Sequence, residues 1–516
     1  MPTVVPPLIA ALLEPARYPH PVDRVELIQT HGAWVLLAGD RAYKIKKPVS
    51  LPFMDFSTLE RRRAACEAEL RVNSRFAPAD PAARIYLAAL PVTGTPQAPV
   101  IGGDPGQAIE WLVQMRRFPE ADRLDHVAGR GGLTPAMMQA LARHVAAFQA
   151  AAAVAGDPSP WGDPEQVMGF ARENLACLRA MPDTGSGQDA VAALADWTEA
   201  QFDRLAPLMA RRHAEGRVRE GHGDLHLANL LRLGGEVVAF DAIEFNDALR
   251  WIDTASDIAF TWMDLWHIGQ AGLAHVLLSE WLDASGDASA PALLPFFAVY
   301  RALVRAKVAA IRRSQLGGSA DAAGQALDEV RAYLRLAGRL AELPPCSPSP
   351  RLVITHGLSG SGKTWASTRW LAAQGDGRAI RLRSDVERKR LHGLAALAAS
   401  GSGLNTGLYS AQAHGDTYAS LRVRAGELLA QGWQVVVDAA FLRRHERQAF
   451  ADLAREHRVP FGILACEAPV SVLRERIRAR QAGGSDASEA TLAVLEQQLR
   501  WAEPLDAAEQ ALALTQ

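Results

Sequence analysis

The segment from residue 351 to residue 364 constrains the fold of this chain more than any other. Residues 351–355 have the apolar character of a short strand, and they lead into GLSGSGKT, which fits the pattern GxxxxGK[ST] completely. At a strand-to-helix junction this pattern forms a phosphate-binding loop (P-loop), in which backbone amides and the helix N-terminus cradle phosphate. Lys363 is predicted to reach the β- and γ-phosphates, and Thr364 to bind Mg²⁺. The candidate phosphate-binding residues are Gly357, Ser359, Gly360, Ser361, Gly362, Lys363 and Thr364.

A second strand pattern downstream ends in an acidic residue. Residues 433–438, WQVVVD, predict a buried parallel strand that ends at Asp438. A carboxylate in this place is typical of the magnesium site beside a P-loop. The alternative is that Asp438 only forms a turn after the strand. The sequence therefore predicts an α/β domain with a parallel sheet, in which Asp438 and Thr364 are the candidate metal ligands.

The sequence from about residue 350 to residue 505 resembles the zeta toxin, gluconate kinase and polynucleotide kinase group. Besides the P-loop, the resemblance is carried by residues 381–385, RLRSD, and residues 474–480, RERIRAR. It implies that Asp385 accepts the proton of the substrate hydroxyl. It also implies an arginine-bearing lid, in which Arg476 and Arg480 share one helix face and stabilise charge on the transferring phosphoryl group. A solvated arginine-rich helix is the alternative for this lid.

A second set of candidate catalytic residues lies in the first half of the chain. Residues 222–244, HGDLHLANLLRLGGEVVAFDAIE, place Asn229 five residues after Asp224, and an apolar strand then delivers Asp241. This is the spacing of the catalytic loop and the metal-binding aspartate in the kinase fold. An attacking hydroxyl needs a carboxylate to accept its proton, and a triphosphate needs Mg²⁺ held by oxygen ligands. Asp224 is the candidate base, and Asn229 and Asp241 are the candidate metal ligands, against the alternative of a polar turn.

The N-terminal region predicts a small sheet that would complete this site. Three antiparallel strand patterns occupy residues 25–49, with a hairpin turn at residues 39–40. The third strand places Lys44 where kinases have the lysine of Ala-x-Lys, which holds the α- and β-phosphates. Lys46 points to the same face of the strand and is the alternative. In the helix pattern that follows, residues 58–73, Glu69 is the candidate partner of the lysine and Glu67 is the alternative.

The stretch HGDLHxxN followed by a strand and an aspartate resembles the aminoglycoside phosphotransferase and choline kinase-like branch of the kinase fold. The resemblance implies an adenine-binding hinge at the end of the strand pattern of residues 108–116, where Met115 and Arg116 are the candidates. It also implies that Asp257 braces the catalytic loop by hydrogen bonds. Two departures separate the chain from protein kinases: only Gly32 is available for the glycine-rich loop, and Asp241 is followed by Ala-Ile rather than Phe-Gly.

These patterns predict two domains joined by a stiff linker. Residues 1–343 would form a bilobal α+β domain of the protein kinase-like fold, with a small lobe at about 22–118 and a helical large lobe at about 119–343. Four prolines in residues 344–350 cannot continue a helix and predict the linker. Residues 351–516 would form the α/β P-loop domain.

Composition narrows the classes of function. With 49% hydrophobic and 22% charged residues the chain has the composition of a soluble globular protein, and its net charge of −2 disfavours nucleic-acid and membrane-surface binding. Only six of the 55 basic residues are lysines, so each lysine is informative. Four widely spaced cysteines predict neither disulfides nor a zinc site. No signal-peptide or membrane-span pattern is found, which predicts a cytoplasmic protein.

The whole chain resembles bifunctional bacterial proteins that join an aminoglycoside phosphotransferase-like domain to a P-loop ATP-binding domain. We expect an ATP-dependent kinase with Mg²⁺ as cofactor, in which each domain transfers the γ-phosphoryl group of ATP to a hydroxyl of a small polar molecule. Two alternatives are a nucleotide sensor with little turnover and a C-terminal domain that acts on nucleic-acid ends. The five basic residues within 381–390 would favour the latter. The sequence names neither acceptor and indicates no oligomeric state.

Overall fold

The computed structural model describes residues 5–30, 32–51, 54–77, 80–156, 159–181, 187–315, 320–342, 350–375, 377–398, 410–483 and 487–514. The predicted linker at 344–350 lies, except for its last residue, outside the described residues. The chain divides into two compact units, and the domain limits given above stay a prediction. The first unit comprises Met1–Leu133, Phe148–Glu173 and Phe202–Thr261, and the second comprises Thr134–Ala147, Asn174–Gln201 and Trp262–Gln516.

The secondary structure alternates between a strand-rich beginning, a helical middle and an α/β end. The strands are β1 (Val25–Gln29), β2 (Ala33–Ala38), β3 (Arg41–Lys46), β4 (Ser50–Leu51), β5 (Met54–Asp55), β6 (Tyr86–Thr95), β7 (Ala98–Ile101), β8 (Glu110–Arg116), β9 (Val218–Glu220), β10 (Leu230–Leu233), β11 (Glu236–Ala239), β12 (Trp251–Asp253), β13 (Leu352–His356), β14 (Ala379–Arg383), β15 (Gln434–Asp438) and β16 (Phe461–Ala465). The helices are α1 (Pro7–Ala11), α2 (Leu59–Asn73), α3 (Leu124–Gly129), α4 (Pro135–Ala151), α5 (Pro164–Arg179), α6 (Gly187–Ala214), α7 (Asp247–Arg250), α8 (Thr254–His267), α9 (Ala271–Ser285), α10 (Ala290–Gln315), α11 (Ala320–Leu340), α12 (Lys363–Ala373), α13 (Ser384–Leu391), α14 (Ala411–Ala430), α15 (Arg444–Glu456), α16 (Val470–Gly483), α17 (Leu492–Trp501) and α18 (Ala507–Gln510).

The first unit is built on a six-stranded antiparallel sheet with the order β1-β2-β3-β8-β6-β7. The three strands predicted within residues 25–49 are β1, β2 and β3, and the predicted hairpin turn joins the last two. Successive side chains of a strand point to opposite faces. On β3, Tyr43 and Ile45 are fully buried in an apolar cluster with Leu36 and Leu112. The lysines at positions 44 and 46 therefore lie on the opposite face of the sheet.

Helix α2 covers the sheet face that carries these lysines. Val113 of β8, the register partner of Lys44, packs with Cys66 of α2 in a second apolar cluster. The same cluster includes Leu231 and Val238, which come from the β10–β11 hairpin. The chain between β9 and β10 is the predicted catalytic loop, and β11 ends two residues before the predicted metal aspartate. Strands β3, β8 and β11 and helix α2 therefore surround one site.

The second unit contains a four-stranded parallel sheet with the order β14-β15-β13-β16. The strand predicted before the P-loop is β13, and the strand predicted to end at Asp438 is β15. Because these strands are parallel neighbours, the P-loop and Asp438 lie at the same edge of the sheet. Arg383, the last residue of β14, pairs in register with Asp438, which brings Asp385 to this edge as well. The two parts of the predicted fold class, a kinase-like α+β fold and an α/β P-loop fold, are confirmed.

Helix α9 covers the outer edge of this sheet along β14. The hydroxyl of Ser279 accepts a hydrogen bond of 3.0 Å from the backbone amide of Arg381, and the Arg381 guanidinium donates to Asp283 at 3.2 Å. Close to α12, a Cβ atom at Gly272 would lie 2.0 Å from the carbonyl oxygen of Ala372, so only glycine fits there. An edge strand exposes unpaired backbone groups, and α9 pairs one of them here. Among the helices of the described ranges, none combines the length and apolar character of a membrane span.

Candidate active sites

The first site is centred on Lys44. Its ammonium nitrogen lies 2.8 Å from Oε1 of Glu69 on α2 and 2.6 Å from Oδ1 of Asp241. Burial alone would lower the pKa of Lys44, but the nearby carboxylates, Asp241 first, raise it well above its ordinary value. Three residues that sequence analysis proposed separately thus meet in one contact. Glu67, the alternative partner, lies on the surface and pairs with Arg63 at 2.9 Å.

Lys46, the alternative to Lys44, lies deeper and has a different set of partners. It is 1% exposed, lies 2.5 Å from Oε2 of Glu69 and forms an ion pair with Glu244. Burial raises the pKa of Glu244, and Lys46 offsets that effect only in part. Glu69 therefore joins the two lysines through its two carboxylate oxygens, and Lys44 alone contacts the candidate metal ligand Asp241.

The predicted catalytic loop is held by Asp257 at the start of α8. This buried carboxylate accepts hydrogen bonds from the backbone amides of His222 (3.0 Å) and Gly223 (3.1 Å), which is the bracing that the resemblance implies. The ring of His222 accepts from the amide of Asp224 at Nδ1 (3.3 Å) and donates from Nε2 to the carbonyl oxygen of Phe240 (2.9 Å). Burial lowers the pKa of His222, so the ring stays neutral in this arrangement.

Asp224 and Asn229 lie side by side on this loop. The amide nitrogen of Asn229 donates to the carbonyl oxygen of Asp224 at 2.9 Å and to its Oδ2 at 3.0 Å. Nε2 of His226 lies 3.3 Å from the same carboxylate, which is 35% exposed. Because the Asn229 nitrogen is directed to Asp224, its amide oxygen is the atom available to a cation. The Asp224 carboxylate is positioned by its neighbours and still open to solvent.

Asp241 adopts an unusual backbone conformation. Its φ of 59° lies in the left-handed region, which costs a non-glycine residue about 1–2 kcal/mol and persists only where the surroundings enforce it. Its amide donates to the hydroxyl of Tyr86 (3.0 Å), and the next amide, of Ala242, donates to Oδ1 of Asn73 (2.9 Å). Burial would raise the pKa of Asp241, but Lys44 lowers it below its ordinary value. The carboxylate is therefore ionised, as a metal ligand must be.

The predicted hinge residue Met115 borders an apolar surface. It is the register partner of Ala42 at the end of β8, and it packs on the second apolar cluster together with Phe118 and Phe240. The rings of Phe118 and Phe240 meet edge to face with centroids 5.0 Å apart. A purine ring could pack against such a surface, and the role of Met115 stays a prediction.

The P-loop joins β13 to α12 as the sequence predicted. A Cβ atom at Gly357 would lie 2.4 Å from the carbonyl oxygen of Cys466, and Gly360 and Gly362 have φ values of 84° and 95°, which only glycine adopts without strain. Lys363 lies over its own loop and donates to the carbonyl oxygens of Gly357 (3.0 Å) and Leu358 (2.9 Å). Burial lowers the pKa of Lys363, and nearby carboxylates offset this only in part.

Two carboxylates face the P-loop from the neighbouring strands. Oδ2 of Asp438 accepts from the hydroxyl of Ser367 on α12 at 3.3 Å and lies 3.9 Å from Nε of Arg383. Asp385 accepts from Arg388 at 2.8 Å. Burial would raise the pKa of Asp385, but Arg388 and then Arg383 lower it. The Asp385 carboxylate is therefore ionised beside the loop.

A cavity of about 670 Å³ opens over the P-loop. Gly360, Lys363, Thr364, Asp385 and Asp438 line it, together with the two predicted lid arginines. Arg476 donates to the carbonyl oxygen of Gly360 at 3.3 Å, and Arg480 donates to the carbonyl oxygen of Ala490 at 2.8 Å. Every residue predicted for this site except Gly357 and Ser361 thus lies on one cavity, and those two belong to the loop itself.

The residues that hold these groups in place carry no motif by which they could be predicted from the sequence. Tyr86 and Asn73 fix the backbone at Asp241, and Gln498 of α17 accepts a hydrogen bond of 2.8 Å from the backbone amide of Ser359 in the P-loop. Single tyrosine, asparagine and glutamine residues belong to no motif, so their contacts follow only from the fold. Lys46 was predicted as the alternative to Lys44, since half of the six lysines fall within residues 44–47.

Fold and sites together define a protein that combines a kinase-like α+β unit with a P-loop α/β sheet. Residues 352–505 match the family described as AAA domain. The chain belongs to the same family as the uncharacterized protein Rv2004c of Mycobacterium tuberculosis. The two are 32% identical over 487 residues, which cover 93% of this chain and 92% of the relative.

Solved structures of two kinds resemble separate parts of the chain. A choline/ethanolamine kinase family protein from Mesorhizobium loti has a TM-score of 0.36 and 13% identity, and the match covers 62% of this chain and 94% of that chain. Kti12 from Chaetomium thermophilum, in complex with ADP-AlF3, has a TM-score of 0.24 and 18% identity, and the match covers 32% of this chain and 88% of that chain.

Proposed function

We propose that the protein is an ATP-dependent phosphotransferase with two separate sites, each of which moves the γ-phosphoryl group of Mg-ATP to a hydroxyl of a small polar molecule. One observation carries the proposal. Lys44, Glu69 and Asp241 come from β3, α2 and the end of the β10–β11 hairpin. The ammonium nitrogen of Lys44 nevertheless lies within hydrogen-bond distance of both carboxylates. This is the arrangement that links a phosphate-binding lysine to a metal-binding carboxylate in the kinase fold.

In the first site each residue has a distinct task. Asp224 accepts the proton of the attacking hydroxyl, because its carboxylate is exposed and oriented by Asn229 and His226. The amide oxygen of Asn229 and the ionised carboxylate of Asp241 are the oxygen ligands that suit Mg²⁺. When bound, Mg²⁺ neutralises charge on the β- and γ-phosphates. Lys44 holds the phosphates of ATP, and Met115 borders its adenine ring.

In the P-loop site the carbonyl oxygens that now accept from Lys363 give way to phosphate oxygens. Thr364 and Asp438 supply oxygen ligands for Mg²⁺, which fits their place beside the loop. Asp385 accepts the proton of the acceptor. Arg476 and Arg480 line the same cavity and stabilise negative charge on the transferring group.

The structure offers little support for a nucleic-acid end as acceptor. The basic residues of the stretch 381–390 would have to bind phosphates of the strand. Each of them instead lies in an ion pair with a carboxylate: Arg381 with Glu280 and Asp283, Arg383 with Asp283 and Asp438, Arg388 with Asp385, Lys389 with Glu489, and Arg390 with Glu387. We infer that this stretch is structural. The cytoplasmic location predicted from the sequence also remains a proposal.

The test uses the full chain and two variants, Asp224→Ala and Lys363→Ala. Each is assayed for phosphoryl transfer from Mg-[γ-³²P]ATP to sugars, aminoglycosides, nucleosides and oligonucleotides. We expect each variant to lose a different activity by about 100-fold or more, because each removes a group that acts on the reacting atoms of one site. Lys307→Ala and Asp452→Ala are the matched controls. If the wild type binds Mg-ATP and transfers phosphate to no acceptor, the protein is a nucleotide sensor and the proposal is wrong.

A further inference from the structure

Helices α14 and α15 form one wall of the P-loop cavity, and a separate group of polar side chains lies on this wall. His414 and Tyr418 lie one turn apart on α14, and their rings are tilted with centroids 4.6 Å apart. Nε2 of His414 lies 2.7 Å from Oε1 of Glu446 on α15. All three residues line the cavity. None of them has a role in the nucleotide chemistry described above.

The hydrogen bonds of this wall define what it can offer to a ligand. A carboxylate only accepts, so Nε2 of His414 carries a proton, and in the corresponding tautomer of a neutral imidazole Nδ1 presents a lone pair. The hydroxyl of Tyr418 accepts a hydrogen bond from the backbone amide of Phe441 at 3.2 Å, so its own proton is available for donation. Within the described ranges, neither Nδ1 of His414 nor the phenol proton has a partner. The two rings therefore present one acceptor and one donor side by side.

The charges of the cavity are divided unevenly. On this wall and on α13 beside it, two cations (Arg388 and Arg443) and two carboxylates (Asp385 and Glu446) line the cavity. Asp385 pairs with Arg388 at 2.8 Å, and the Arg443 guanidinium lies over the ring of Trp501, 4.9 Å from its centroid. The cations in excess lie at the P-loop side: Lys363, Arg476 and Arg480. That side suits a triphosphate, whereas a wall with no net charge suits a neutral acceptor better than an anionic one.

We propose that this wall is the acceptor subsite of the P-loop site and that its acceptor is a small, neutral, polyhydroxylated molecule. A hydroxyl both donates and accepts, so adjacent hydroxyls match Nδ1 of His414 and the phenol of Tyr418 together. A further hydroxyl oxygen of the same molecule forms a bond to the γ-phosphorus of ATP and passes its proton to Asp385. The bond between the γ-phosphorus and the β,γ-bridging oxygen breaks, and ADP leaves. This inference rests on the proposed function of the P-loop site.

The experiment uses the full chain with Asp224→Ala, which silences the first site. Transfer from Mg-[γ-³²P]ATP is measured to three neutral polyols (myo-inositol, D-glucose and D-ribose), two anions (gluconate and glucose 6-phosphate) and a 5′-hydroxyl oligothymidylate. We expect label on a neutral polyol. Tyr418→Phe and His414→Ala should each raise the KM for that polyol about tenfold, the loss expected for one hydrogen bond to a ligand, with the KM for ATP unchanged. His445→Ala, on an exposed position of α15, is the matched control.

Two results would overturn the inference while leaving the proposed function intact. The first is label on the anions or the oligothymidylate in preference to the polyols. The second is a polyol KM that Tyr418→Phe and His414→Ala do not change. A third result, Lys363-dependent binding of Mg-ATP with no label on any acceptor, would reject both the acceptor subsite and the phosphotransferase function of the P-loop site. Loss of Mg-ATP binding itself would instead reject the proposed function of the P-loop.

Discussion

The two candidate sites place a lysine with the same expected task in opposite electrostatic settings. Lys44 is held by side-chain carboxylates, and these raise its pKa although burial opposes them. Lys363 is held by backbone carbonyl oxygens, and burial lowers its pKa. The first lysine is compensated by charges that the protein itself supplies. The second is poorly compensated until an anion arrives.

Because of this difference, the charged groups of the two sites should contribute to different properties of the protein. The first site is assembled without a ligand by buried ion pairs among residues that are distant in sequence, so those pairs should matter for the stability of the first unit. The P-loop site is built from a contiguous loop whose geometry depends on glycine, so its charged groups should matter for ligand binding. Substitutions in the two regions should therefore affect different measurements.

The largest loss of stability is expected for Lys46→Met in the first unit. Lys46 is buried between Glu69 and Glu244, and its removal leaves two buried carboxylates with less compensation. Breaking a buried ion pair by removing one partner costs about 3–5 kcal/mol in the free energy of unfolding. Urea unfolding followed by circular dichroism, together with hydrogen exchange of the peptides of β3 and α2, measures the loss and locates it.

The control and the rescue for this variant come from the same cluster. Lys47→Met, at the neighbouring and more exposed lysine, should cost less than about 1 kcal/mol. Adding Glu244→Leu to Lys46→Met should restore part of the stability, since it removes one of the uncompensated carboxylates. A double variant no more stable than Lys46→Met alone would show that the uncompensated charge of Glu244 does not cause the loss.

A smaller effect on stability is expected at Asp283, which α9 contributes beside β14. Its dependence on pH is opposite to that of the buried carboxylates in the first unit. Burial raises the pKa of Asp283 to about 6, and Arg381 and then Arg383 lower it only in part. Between its ordinary value of 3.8 and about 6 the folded chain binds a proton that the unfolded chain does not bind. The free energy of unfolding therefore falls as the pH rises through this window. Asp241 and Glu69, whose pKa values are lowered, contribute stability that is lost as the pH falls below about 4.

Asp283→Asn should remove the contribution of this carboxyl to the pH dependence of the free energy of unfolding of the second unit. We expect about 2–3 kcal/mol more stability at pH 7 and a flatter profile between about pH 4 and pH 6, from two pKa units at about 1.4 kcal/mol each. Hydrogen exchange of the α9 and β14 peptides across this pH range measures the change. Asp328→Asn, at an exposed position of α11, should leave the profile unaltered. An unchanged slope in Asp283→Asn would mean that this carboxyl remains charged in the folded chain.

Motifs with fixed spacing made much of both sites visible in the sequence. The P-loop is contiguous, and the catalytic loop with its following strand has a characteristic order, so their residues could be located without a structure. The strand period of two placed Lys44 and Lys46 on one face but could not rank them. Only the fold shows that Lys44 reaches Asp241 and that Lys46 reaches Glu244.

Contacts between distant segments could not be predicted in this way. The cover of β14 by α9 depends on Ser279 and Gly272, and neither residue stands in a recognisable pattern. The same holds for Tyr86 and Asn73, whose hydrogen bonds enforce the left-handed conformation of Asp241. These side chains form hydrogen bonds with backbone groups that are distant in sequence. Such a contact depends on the tertiary structure, so it produces no periodic pattern in the sequence.

The smallest effect, and the sharpest test of how the P-loop differs from the first site, is expected for Gln498→Ala. The side-chain oxygen of Gln498 accepts from the amide of Ser359, one of the donors that a P-loop offers to an anion. Removing it frees that donor, so Mg-ADP and Mg-AMP-PNP should bind about two- to tenfold more tightly, the range expected for one hydrogen bond. Isothermal titration in an Asp241→Ala background reports on the P-loop alone, with Gln448→Ala, at an exposed position of α15 outside the cavity, as the matched control. Weaker binding would mean that Gln498 contacts the nucleotide itself, and the P-loop would then resemble the first site in depending on distant side chains for its ligand.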